Sequence, residues 1–200
     1  MIEKNQTPSY YSFMQIALNN QNKPKIIEKA MDILSKGGII VYPSDTVYGL
    51  AADATNPIAV DKIEKLKGSG PEKRFSSNFS NIQMIEQYHN LTDEERAILE
   101  KYLPGPFTFI LKDDLSVRIP ENSVITEITD HYGKPTTATS ANLTGEQPID
   151  RIKTLNVKIY LAADLIIEDP EFVASAPSTL VDLRSNPYKV LRQGKLPFEH

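Results

Sequence analysis

The stretch that decides the fold is GGIIVYPSDTVYGLAADA, residues 37–54. Two glycines at its start stop the preceding helix, because glycine readily takes the left-handed conformation that ends one. IIVYP (39–43) is then a short apolar run with β-branched residues, which suits a buried strand. Directly after it, Ser44, Thr46, Tyr48 and Gly49 are concentrated in YPSDTVYGLAADA (42–54). Small hydroxyls at the C-terminal end of such a strand are well placed to hydrogen-bond a ligand at the sheet edge. The same composition suits a polar turn in which Ser44 and Asp45 bond their own backbone. Spacing alone leaves these two readings level.

Upstream, Ile26, Ile27, Ala30, Met31, Ile33 and Leu34 fall on one broad helical face between Pro24 and the glycine pair. Residues 1–22 read as a polar, Asn/Gln-rich N-terminal extension able to contribute one strand, and residues 23–197 as the domain. Downstream, Asn56-Pro57 starts a second helix, with a capping side chain followed by proline at the first helical position. Its stripe of Ala59, Ile63 and Leu66 leads into the loop KLKGSGPEKRFSSN (65–78). A strand is expected near 75–80, then helices around 81–89 and from Thr92, the latter opened by a capping box of Thr92 and Glu95. PGPFTFILK (104–112) alternates Phe107, Phe109 and Leu111 as a strand does, and 122–132 reads as helix. PTTATS (135–140), DLIIED (164–169), STLVDL (178–183) and YKVLR (188–192) read as strands. Helices and strands alternate early and strands cluster late. The expected fold is therefore α/β, a single domain with a twisted mixed β-sheet flanked by helices.

Composition narrows the function. Two hundred residues, 40% hydrophobic, can bury a sizeable core. A net charge of −4 argues against broad coating of nucleic acid, which needs a basic surface to release counterions. There is no cysteine, so disulfides, thiolate catalysis and thiolate metal sites are excluded. His89, His131 and His200 are scattered without HExxH spacing, so no protein metal site is expected. The N-terminus lacks a signal-peptide core, and no apolar run approaches the ~20 residues of a membrane span. The chain is expected to be cytoplasmic and free of membrane.

The chemistry-bearing residues point to anion handling. No Walker A loop occurs, and Gly68-Ser69-Gly70 lacks the third glycine and preceding strand of a dinucleotide fingerprint. TSANLTGEQP (139–148) places Ser140, Asn142, Thr144 and Gly145 after a strand, where they suit either phosphate contacts or a turn. Arg118 and Arg192 stand beside strands with few acidic neighbours, and an arginine fork grips carboxylate or phosphate. Ser178 and Thr179 add hydroxyls, while Ser140 has no nucleophile elbow around it. The inventory fits positioning and charge neutralisation, as adenylyl or phosphoryl transfer requires.

Taken together, GGIIVYPSDTVYGLAADA, the helix into LKG, LPGPFTFILK, VRIP, TSANLTGEQP, PSTLVDL and VLRQG resemble, in order, the blocks of the YrdC-like family of L-threonylcarbamoyladenylate synthases. The resemblance covers roughly residues 24–195, and seven ordered blocks are far more specific than any one motif. It implies the synthesis of threonylcarbamoyl-AMP from L-threonine, bicarbonate and ATP, with Mg²⁺ assisting. Proteins of the tRNA t6A transferase complex would receive the product, with weak tRNA binding as a further implication. By position, Lys67, Ser140, Asn142 and Arg192 match ATP contacts. Ser44, Asn78, Arg118 and Ser178 match threonine contacts, with Arg118 on the carboxylate.

One departure stands out. The family pattern K-x-R-P-x-x-x-P-L is here KGSGPEKRF, with Ser69 in place of the arginine, Gly70 of the first proline and Arg74 of the second. Lys67 and Arg74 are therefore the expected catalytic cations, Arg74 or Lys73 replacing the lost guanidinium. The alternative is a non-catalytic or weakened paralogue that binds RNA or nucleotide.

Overall fold

The computed structural model describes residues 14–68 and 75–199. Helix α1 (Lys23–Ser35) buries Ile26, Ile27, Ala30 and Leu34, one face of a 3.6-residue repeat. It ends where Gly37 takes φ +69° and donates its N–H to the Leu34 carbonyl. Strand β2 (Ile40–Pro43) follows with all four residues buried. Ile40 and Tyr42 pack toward α1 and α5 (Val124–Tyr132), whereas Val41 packs toward α2 (Pro57–Lys67) and α6 (Val157–Ala162). That two-sided burial is why the strand reads as a continuous apolar run.

The chain turns over Ser44–Val47 and returns as β3 (Tyr48–Ala51), antiparallel to β2 with Tyr42 opposite Gly49. Helix α2 is capped as expected: Asn56 Oδ1 accepts from the N–H groups of Ile58 and Ala59. After β4 (Ser76–Asn78) come α3 (Ile82–Glu86) and α4 (Asp93–Tyr102), the latter with the anticipated capping box. Strands β5 (Phe107–Ile110), β6 (Ser116–Arg118) and β7 (Thr136–Ser140) bracket α5, and β8 (Leu165–Glu168), β9 (Thr179–Asp182) and β10 (Lys189–Arg192) complete the chain. The N-terminal strand β1 (Met14–Ala17) pairs in parallel with β8, and Met14 and Ile16 pack on the α1 core. The sheet thus takes in part of the segment read as an extension.

The described strands form one mixed sheet in the order β1-β8-β2-β3-β7-β4-β6-β5-β9-β10. Three apolar clusters hold it: one under α2 and α6, one under α1 and α5, and one joining α3 and α4 to Phe107, Phe109 and Val181. Each fully buried Ile, Leu or Phe side chain contributes about 1.5–3 kcal/mol. Sequence reading does not anticipate β3, β6 or α6. The first lies inside turn-like composition, the second is three residues long, and the third is a six-residue helix. No described helix is long and apolar enough to cross a membrane.

Candidate active site

Helix α2 delivers the first functional side chain. Lys67 continues the buried face of Ala59 and Ile63 at i+8, so its stem is buried to 5% exposure at the helix end. Its ammonium donates to the carbonyls of Ser140 and Asn142, both at 2.6 Å. Gly68 then leaves the helix in the left-handed conformation, with φ +67°. Lys67 therefore welds the helix to the loop that follows β7. That loop is further held by Asn142, whose Nδ2 donates to the carbonyls of Leu143 (2.9 Å) and Glu146 (2.8 Å). Asn142 Oδ1 is buried and has no partner among the described residues.

A second group gathers at β6, β9 and β10. Arg118, at the end of β6, pairs through Nη2 with Asp45, whose other oxygen accepts from the Glu121 N–H at 3.3 Å. Arg118 Nε is buried and has no partner among the described residues. Arg192 donates from Nε to the Ser178 carbonyl (3.0 Å) and from Nη2 to the Ser178 hydroxyl (3.1 Å). That hydroxyl shares a 2.8 Å bond with Thr108. Gly194 makes this crossing possible, since a Cβ there would lie 2.1 Å from the Pro177 carbonyl oxygen. Burial, and then repulsion from Arg118, hold the Arg192 pKa below its ordinary value. Two cations pressed together in this way favour an anion between or beside them.

These groups face one cavity of about 420 Å³, lined by Ser44, Lys67, Arg118, Ser140, Asn142, Ser178 and Arg192. Seven residues singled out in the sequence are thus brought together from across the sheet. Ser44 holds the turn and also stands at the cavity. Its hydroxyl donates to the Val47 carbonyl at 2.6 Å and accepts from the Thr46 N–H at 3.1 Å, yet it lines the cavity. Asn78, matched to a threonine contact, is wholly buried and is not among the described residues that line the cavity. The β4–β7 register turns its amide inward, where Nδ2 bonds the Tyr42 hydroxyl (3.0 Å) and the Thr137 carbonyl (3.0 Å). Arg74, with Ser69 and Lys73, lies outside the described residues. Tyr42, Thr108 and Glu146 also line the cavity and were missed. The only sequence cue to Tyr42 is a glycine seven positions on, Gly49, which becomes its cross-strand partner.

The fold and this cleft define an α/β protein whose open sheet carries a cleft lined by cations and small hydroxyls. Residues 32–194 match the Sua5/YciO/YrdC family model, described as "Telomere recombination", and the chain belongs to that family. Threonylcarbamoyl-AMP synthase from Vibrio campbellii is 27% identical over 186 residues, covering 85% of this chain and all (100%) of the relative. The Photobacterium profundum protein of the same name is 29% identical over 184 residues, covering 84% and 98%. Among solved structures, P. abyssi Sua5 complexed with L-threonine superposes with a TM-score of 0.82 at 24% identity. That match covers 92% of this chain, which spans 58% of the P. abyssi protein.

Proposed function

We propose that the chain is a threonylcarbamoyl-AMP synthase, a nucleotidyltransferase that converts L-threonine, bicarbonate and ATP into threonylcarbamoyl-AMP, pyrophosphate and water. The observation that carries this reading is the convergence of Lys67, Arg118, Arg192, Ser140 and Asn142 on one cleft. Relatives named for the activity, matched over most of their length, supply the substrate class.

Arg118 is suited to the threonine carboxylate, because Asp45 fixes one edge of its fork and leaves the buried Nε unspent. Held there, the threonine amine adds to the bicarbonate carbon, and loss of water gives the carbamate. A carbamate oxygen then attacks the α-phosphorus of ATP, and pyrophosphate leaves. Lys67 supplies positive charge to the phosphates, where charge develops in the transition state, with Arg192 as a further ATP contact. Ser140 and the loop fixed by Asn142 give the phosphates polar contacts. Among the described residues, Glu146 is the one carboxylate lining the cleft, and no cluster of metal ligands is found. Mg²⁺ would enter with the ATP, as part of the substrate.

The product is a reactive mixed anhydride, so a transferase that modifies tRNA adenosine is the fitting recipient. The non-catalytic alternative is not favoured, since the relatives matched over most of their length are named as synthases. The test is pyrophosphate release by the folded protein, with threonine and bicarbonate omitted in turn. Release that needs both supports the reading, and release indifferent to threonine ends it.

A further inference from the structure

The floor of the cleft carries a phenol that the roles above leave unused. Tyr42 leaves β2 and lays its ring across Gly49. A Cβ on that glycine would stand 2.5 Å from Tyr42 Cζ and 2.6 Å from its Oη. Tyr42, Gly49 and Ser140 share one rung across β2, β3 and β7. The ring therefore runs inward over the sheet, and its Oη meets Asn78 on β4. In the sheet order β4 lies between β7, the strand of Ser140, and β6, the strand of Arg118. The phenol oxygen thus meets the strand that lies between those of Ser140 and Arg118.

The direction of the Tyr42 proton follows from the Asn78 amide. Asn78 Nδ2 lies 3.0 Å from the Thr137 carbonyl, a group that only accepts, so the NH₂ end of the amide belongs on this side. The same nitrogen faces Tyr42 Oη at 3.0 Å, so the phenol accepts and its own proton points away from Asn78. No described residue accepts that proton at hydrogen-bond distance. Burial raises the phenol above its ordinary pKa, against opposing pulls from Arg118 and the Asn78 amide, so at neutral pH Tyr42 is a donor.

Resting on the proposed function, we propose that the Tyr42 hydroxyl is a substrate-binding group that donates to an oxygen of the one-carbon anion, bicarbonate and then the carbamate formed from it. Arg192 lies beyond Arg118 on β10, while Lys67, held to the Ser140 carbonyl of β7, and Arg118, at the end of β6, stand on the two sides of β4. The small anion must sit between them, where Tyr42 is. A neutral donor also suits the next step. The carbamate oxygen has to leave its donor to reach phosphorus, and a phenol hydrogen bond holds it less tightly than an ion pair would.

Tyr42→Phe tests this, because it keeps the ring over Gly49 and removes only Oη. Threonine-dependent pyrophosphate release is measured in the wild type and the variant, with bicarbonate, threonine and ATP each varied. The expected result is a bicarbonate KM raised about tenfold, with the threonine and ATP KM values within about twofold. An unchanged bicarbonate KM, a rise in threonine KM alone, or an equal rise for all three overturns the inference while leaving the synthase reading in place. A wild type that releases no threonine-dependent pyrophosphate removes both.

Discussion

Lys67 Nζ lies 2.6 Å from the backbone carbonyl of Asn142, and an equal bond to Ser140 makes the ammonium a clamp as well as a charge. Cutting it back leaves two carbonyls in a buried region short of a donor. Lys67→Met is therefore expected to lose about 2–4 kcal/mol of stability and to weaken ATP binding at least about tenfold. Urea unfolding reads the first effect and calorimetric titration with the nucleotide the second. Wild-type stability in the variant would show that the clamp carries no weight in the fold.

Arg118 has to serve Asp45 and a substrate carboxylate at once, which a planar fork with several donors can do. A lysine keeps the charge but follows Asp45 as a point cation, without a second edge of fixed direction. Arg118→Lys is thus expected to raise the threonine KM about 30-fold while the ATP KM stays within about twofold. Steady-state kinetics with each substrate varied decides it. A proportional rise in both KM values would place Arg118 at the phosphates instead.

The parts of the fold that were legible are those set by local chemistry. Strand β2 declared itself because both faces are buried, α4 because Thr92 and Glu95 cap each other, and α2 because Asn56 and Gly68 bound it. The site was legible as a set of residue types and much less as contacts. The clamp made by Lys67 was not legible, because its two carbonyl partners are 73 and 75 residues away. The resemblance alone matches Asn78 to a threonine contact, and nothing in SSN tells which way a three-residue strand faces. Pairing with β7 decides that, and turns the amide beneath Tyr42. Tyr42 itself read as one more apolar strand residue, since only the hairpin register shows that Gly49 leaves room for its ring.

Acid should weaken the protein partly through Asp53. Burial opposes its ionisation, but hydrogen bonds from the Thr55 hydroxyl, the Tyr132 hydroxyl and the Thr55 N–H, with help from Lys134, hold its pKa below the ordinary value. A carboxyl with a lowered folded pKa contributes stability above its unfolded pKa and loses that contribution as pH falls through the folded one. Asp53→Asn is expected to cost about 1–2 kcal/mol near pH 7, with the gap to wild type closing below about pH 4. Urea denaturation at a series of pH values measures the gap. A gap that stays constant with pH would mean that packing, rather than charge, is what the substitution disturbs.

The last expectation concerns the segment after Gly68, where Ser69 stands in place of the family's arginine and Arg74 in place of its second proline. A reaction that builds negative charge on phosphorus needs a cation there, and removing such a group costs on the order of 100-fold in rate. If Arg74 takes over that duty, Arg74→Ala lowers kcat by about that factor, with the threonine KM little changed. Adding Ser69→Arg to the same chain then restores part of the loss, because it returns a guanidinium to the position from which the family works. Single-turnover pyrophosphate release in the two variants and the wild type separates chemistry from product release. A full-rate Arg74→Ala variant would show that Lys67 and Arg192, already on the cleft wall, are cation enough.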